Sequence, residues 1–152
     1  MNTDNTATTW RDLADQLTAK QIAQLDNGRG QQPGDLLDIA RDMAAQNLLQ
    51  LSLSDVPAPH GATDVGAWCQ DDDKIGSSSR TVYGGRWTVG NATVVIAGEQ
   101  HATGATSWQI EVQHAENTVG DLTAEQTREL SRVLAVAADR LDQLDGTAPP
   151  FM

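Results

Sequence analysis

The chain has 152 residues, enough for one sizeable core and an appendage, and its 39% hydrophobic content argues against wholesale disorder. The formal net charge is −11, from 21 acidic against 10 basic residues, and such a surface repels phosphate backbones and anionic membranes, so direct nucleic-acid or membrane binding is disfavoured. A single cysteine, Cys69, excludes an internal disulfide, and no apolar run approaches the about 18 residues of a membrane span.

The polar start Met1-Asn2-Thr3-Asp4-Asn5 carries no apolar signal region, so a cytoplasmic protein is expected, with residues 1–8 frayed. Thr9-Trp10-Arg11-Asp12 then reads as a capping box ahead of an apolar side formed by Trp10, Leu13, Ala14 and Leu17. Thr18-Ala19-Lys20-Gln21 repeats the signal, restarting or bending the helix, and Ile22 and Leu25 continue its apolar side until Asn27-Gly28-Arg29-Gly30 stops it. Pro33 suits a first helical turn, and Leu36, Ile39, Ala40, Met43, Ala44, Leu48 and Leu51 form a third stripe at three- and four-residue spacing. Residues 1–52 are therefore expected as a helical N-terminal region. Short helices cannot bury such stripes alone, so they must pack on each other, on the rest of the chain or on another protein.

Residues 53–80 read as a linker with a possible edge strand. Val56-Pro57-Ala58-Pro59-His60-Gly61 is an extended Pro-containing link, and Thr63 to Trp68 could form a first, edge strand. The runs Asp71-Asp72-Asp73 and Gly76-Ser77-Ser78-Ser79 are expected as a mobile loop.

Residues 81–152 carry the clearest pattern. Arg86-Trp87-Thr88-Val89 and Ala92 to Ala97 flank Gly90-Asn91, a two-residue hairpin signal because both residues tolerate positive φ. Gly98 to Ala105 reads as strand end and turn, after which Ser107 to His114 alternates cleanly. Trp108, Ile110 and Val112 lie on one face, and Gln109, Glu111 and Gln113 on the other. Thr123-Ala124-Glu125-Gln126 is a third capping box. The stripe Leu130, Val133, Leu134, Ala137, Leu141 and Leu144 follows it, Gly146 is placed to end the helix in a left-handed conformation, and Pro149-Pro150 prevents resumption. The expected fold class is α+β: a helical N-terminal region, then a three- to four-stranded antiparallel sheet covered by one long C-terminal helix, with Trp68, Trp87 and Trp108 as core anchors.

Several segments taken together carry a resemblance: Thr9 to Ala14 with Gln16-Leu17-Thr18, Val56 to Pro59 leading to Gly61-Ala62-Thr63, Gly85 to Gly90, the Val94-to-Gln100 strand, and Leu122 to Gln126. Their order resembles small uncharacterised proteins encoded by mycobacteria and by the phages that infect them, and the resemblance covers most of the chain. It implies an actinobacterial or phage-encoded cytosolic protein and assigns no catalytic residue. Members often carry a short acidic-glycine turn where this chain has Ala102-Thr103-Gly104-Ala105, a departure that touches hairpin geometry alone.

Residues for chemistry are present, but their spacing fits no catalytic template. Cys69, His60, His101 and His114 lack zinc-site spacing, and His114 falls at the end of an apolar strand face, where a rim histidine is the commoner occupant. Ser77, Ser78 and Ser79 occupy no nucleophile elbow, and the three aspartates after Cys69 would raise rather than lower a thiol pKa. Gly28-Arg29-Gly30 and Gly84-Gly85 do not link a strand to a helix and a lysine as a phosphate loop requires. The helical carboxylates alternate with Arg41, Arg128, Arg132 and Arg140, an ordinary solvated pattern, and the Asp71–Asp73 run lacks calcium-loop spacing.

No catalytic, cofactor or metal residue is therefore expected. The reading that remains is a non-enzymatic acidic protein-interaction module, self-associating or acting on a host or phage protein. The candidate interface is Trp10, Leu13, Leu17, Ile22, Leu25, Leu36, Met43 and Leu48, because the polar Gln109/Glu111/Gln113 sheet face offers these stripes poor cover. The alternative for the same residues is that they cap the protein's own core. Two rival functions stay open: an acidic mimic occupying the nucleic-acid site of a basic DNA-binding protein, and, from another class, a small metal-dependent hydrolase.

Overall fold

The computed structural model describes residues 6–28, 31–70, 77–114 and 122–146, and the chain divides into two units, 1–55 and 56–152. Four stretches named above lie outside the described residues: Met1 to Asn5, Arg29-Gly30, Asp71 to Gly76, and Pro149-Pro150.

In the first unit the two expected capping boxes start two separate elements. Asp12 accepts hydrogen bonds from the backbone N–H groups of Thr8 and Thr9, each at 2.9 Å, and opens a 3-10 helix at Trp10–Gln16. Those donors hold the Asp12 carboxyl below its ordinary range. The box also ties down Thr8, and Ala7 packs on the core, so ordered chain begins earlier than the expected fraying allowed. Leu17 is extended, and Thr18 and Gln21 then cap helix α1 (Ala19–Asp26) reciprocally, at 2.9 and 3.3 Å. Helix α2 (Pro33–Ser52) starts on Pro33, whose missing N–H costs nothing in a first turn. Trp10, Leu13, Leu25 and Ala40 form the buried centre, with Leu17, Ile22, Leu36, Leu37, Ile39 and Met43 packed around it.

The second unit has the α+β architecture expected from the alternation. Its antiparallel sheet comprises β1 (Asp64–Val65), β2 (Cys69–Gln70), β3 (Ser78–Val89), β4 (Ala92–His101) and β5 (Thr106–His114), in the order β1-β3-β4-β5 with β2 also on β3. Gly90, at φ 56°, makes the β3–β4 turn, and helix α3 (Ala124–Leu144) ends at Gly146 with φ 69°. Val89, Val94 and Ile96 meet Val133 and Ala137 of α3, and Trp87, Trp108, Ile110, Leu130, Leu134, Leu141 and Leu144 pack against them.

Val112 departs from the expected face: it is 46% exposed. The cause is where α3 is anchored. At the end of the sheet that holds Val112, α3 starts beside the β3–β4 turn, with Gln126 against Gly90 and Glu125 and Glu129 near Thr88 and Val89, so the adjoining end of β5 is left uncovered. At the other end Arg140 donates to the carbonyls of Gly61 at 2.8 Å and Gly84 at 3.4 Å, and Leu144 packs over Gly84. The extra residue at Gly84 is a bulge between Tyr83 and Gly85, so Val82 and Trp87 share a face despite their odd separation.

The stretch expected as a linker divides differently. Apart from its first residues, 53–55, it belongs to the second unit. Strand pairing in the expected edge segment is confined to Asp64–Val65, while Trp68 lies between strands, buried, with the Arg80 guanidinium stacked 4.5 Å over its ring. Ser78 and Ser79, expected in a mobile loop, begin β3, where both pair with β2 and Ser79 also pairs with His101 of β4. Gln100, a buried amide, donates to Pro57 O at 2.9 Å and accepts from Arg80 Nε at 2.8 Å, while Arg80 also donates to Val56 O at 3.3 Å. These bonds fasten residues 56 and 57 to the sheet.

Candidate functional site

The eight candidate interface residues are distributed unequally. Trp10, Leu13 and Leu25 are buried, and Leu17, Ile22, Leu36 and Met43 are half-buried around them, so seven of the eight build the first unit's own core. Leu48 is the exception at 66% exposed, and Leu51, one turn on and absent from the candidate set, is 71% exposed. Helix α2 simply outruns its partners: the 3-10 helix and α1 cover its first turns, and the same apolar stripe continues beyond them into solvent.

The uncovered turns form one wall of a groove of about 670 Å³, with Leu17 and Thr18 opposite Ala44, Leu48 and Leu51. Its width is set by Asn47. The Asn47 amide donates to Gln16 O at 2.9 Å and to Gln21 Oε1 at 2.8 Å, and accepts from Gln21 Nε2 at 3.2 Å. These bonds hold α2 to the connection between the 3-10 helix and α1. The signal for this clamp was present in the sequence as one amide set into an apolar helical face. Asp15 supplies the negative charge on the groove's rim.

A second concavity, about 600 Å³, lies on the sheet face away from α3, lined by polar side chains including Tyr83, Glu99, Ser107, Gln109 and Glu111, with Cys69 at one side. Glu111 accepts from Gln109 Nε2 at 2.8 Å and Gln113 Nε2 at 3.2 Å, so this carboxylate is already engaged by its own strand. Neither His60 nor His101 lines the concavity, and both are exposed, as is His114 at the end of β5. The Cys69 thiol faces Ala67 O at 3.8 Å. Among the described residues, no three His, Cys, Asp or Glu side chains come together to hold a metal.

The helical arginines divide. Arg41–Asp38 at 3.3 Å and Arg132–Glu129 at 2.6 Å are exposed pairs three residues apart, the expected solvated pattern, whereas Arg140 is spent on the Gly61 and Gly84 carbonyls. Among the described residues no helix is long and apolar enough to cross a membrane. Comparison with known proteins finds no family model, no curated protein and no solved structure that matches this chain.

Proposed function

We propose that this chain is a non-enzymatic protein-interaction module whose first unit receives the apolar face of a short helix from a partner protein in the groove between Leu17 and the Leu48/Leu51 edge of α2. The observation that carries this reading is the pair of leucines one turn apart, both about two-thirds exposed or more, on a groove whose opposite wall carries Leu17. An amphipathic helix laid into a groove places residues three and four apart against such a wall. Burying the two leucines contributes about 1.5–3 kcal/mol each before the entropy of association is subtracted. Asp15 on the rim and the −11 net charge favour basic residues flanking the apolar face of that segment. The resemblance to phage-encoded proteins adds the expectation that the partner is a host or phage protein.

The test compares affinity capture by the full chain with capture by Leu48→Asp and Leu51→Asp, followed by titration of the captured protein. Both positions are exposed, so the variants are expected to fold and to lose the partner by about 10-fold or more in affinity. Capture unchanged by both substitutions overturns the groove as the binding site.

A further inference from the structure

We propose that two copies of this chain associate through β5, whose free edge is self-complementary about Ile110. The argument starts from hydrogen-bond parity. The N–H of His101 donates to Ala105 O at 2.8 Å, so His101 and Ala105 are a bonded pair at the mouth of the β4–β5 turn. In an antiparallel ladder bonded pairs recur every second residue. The β4–β5 register then makes Ser107, Gln109, Glu111 and Gln113 the residues bonded to β4. The N–H and C=O groups of Thr106, Trp108, Ile110, Val112 and His114 accordingly point outward, and among the described residues no strand pairs with them.

Edges of this length are ordinarily protected by proline, lysine or a bulge. Strand β5 has no proline and no lysine or arginine, and its pairing with β4 runs without a register shift. Its one carboxylate, Glu111, lies on the open face between two glutamines. An antiparallel pair centred on Ile110 brings outward-pointing groups together along the whole strand and exchanges about ten backbone hydrogen bonds. Trp108 then stands opposite the partner's Val112, and Glu111 opposite the partner's Gln109, so no carboxylate faces its copy.

The seam beside this edge is apolar and incompletely covered. Trp108 and Ile110 are half-buried and Val112 is exposed, because at that end α3 starts beside the β3–β4 turn, with Gln126 against Gly90. At 100° per residue, the α3 flank turned toward β5 carries Thr127, Ser131, Leu134 and Ala138, uncharged until Asp142 and Asp145 at its C-terminal end, while Glu125, Glu129 and Arg132 lie on the β3 side near Thr88 and Val89. A second copy would cover what α3 leaves open. This inference stands on the second unit and does not rest on the Leu48/Leu51 groove.

Sedimentation of the full chain as a function of concentration tests it. The wild type is expected to dimerise. Val112→Lys, which adds an edge charge, and Val112→Pro, which removes an outward donor, are each expected to raise the dimer dissociation constant about tenfold or more with unchanged circular dichroism. Val136→Lys, at a comparably exposed valine on the helix flank away from β5, and Leu48→Asp are expected to leave the dimer intact. In a Cys69→Ser background, Ile110→Cys is expected to give a disulfide-linked dimer on mild oxidation, since the symmetry axis passes through that pair. A wild type that stays monomeric, a dimer indifferent to both Val112 variants, or a dimer lost on Leu48→Asp overturns the inference.

Discussion

The two units answer one physical problem, covering an apolar stripe, with different success. In the second, a sheet meets a helix of 21 residues, and the centre of the shared face is closed around Val94, Ile96 and Ala137, with Val112 at the edge of β5 left open. In the first, the 3-10 helix and an eight-residue α1 meet a 20-residue α2, and the shorter elements run out before the longer one ends. Cover is thus a matter of matched lengths. Where lengths match, a stripe becomes core; where they do not, its last turns become surface, as at Leu48 and Leu51.

That contrast can be broken most forcefully at Ile96, fully buried beneath α3. Ile96→Ala is expected to cost about 2–5 kcal/mol, measured by denaturant unfolding. Loss of the second unit's amide-exchange protection, with protection around Leu25 kept, would mark the units as independent, whereas equal loss in both would make them one cooperative body. Gln100→Ala is the next largest: it strands Pro57 O and Arg80 Nε, at about 1–3 kcal/mol in the same unfolding measurement, and residues 56–58 are expected to become accessible to proteolysis. Asn47→Ala sharpens the comparison within the first unit. It removes the clamp between α2 and Gln16, at about 0.5–1.5 kcal/mol, and the same variant is expected to weaken partner capture because the groove's width is lost.

The smallest effect is a pH dependence at Asp12. Its carboxyl titrates lower in the folded chain because the Thr9 and Thr8 N–H groups donate to the ionised form. Its contribution is therefore present above the unfolded value, about 3.9, and is lost as pH falls through the lowered folded value. Acid titration followed by the NMR resonance of the Trp10 indole N–H is expected to show a loosening below about pH 4 that Asp12→Asn lacks. A Trp10 signal that is flat through that range would separate the cap from the stability of the first unit.

Local signals in the chain were enough for its helix starts and its main hairpin. Three capping boxes, at Thr9, Thr18 and Thr123, start the 3-10 helix, α1 and α3, because capping involves only four consecutive residues. Gly90-Asn91 makes its hairpin for the same reason. Where a feature depended on a neighbour distant in sequence, the pattern was silent. Trp68 reads as a strand residue but is buried by Arg80 stacking, and Ser78-Ser79 reads as a loop but pairs with Cys69-Gln70 and extends to His101. The candidate interface was legible as an apolar stripe, but not which end of it stays open.

Which face of each element is apolar, where each helix starts and where the main hairpin turns could be read from the residues, because periodicity and capping are properties of a few adjacent positions. How far each face is covered emerges from packing: Leu36 packs inward while Leu48 on the same stripe does not, and Ile110 is packed while Val112 on the same face is exposed. The reason is that coverage depends on the reach of the opposing element and on the contacts that place it, here the connection from the 3-10 helix to the start of α1, which meets α2 at Asn47, and the start of α3 beside Gly90. Neither quantity is written in the residues being covered.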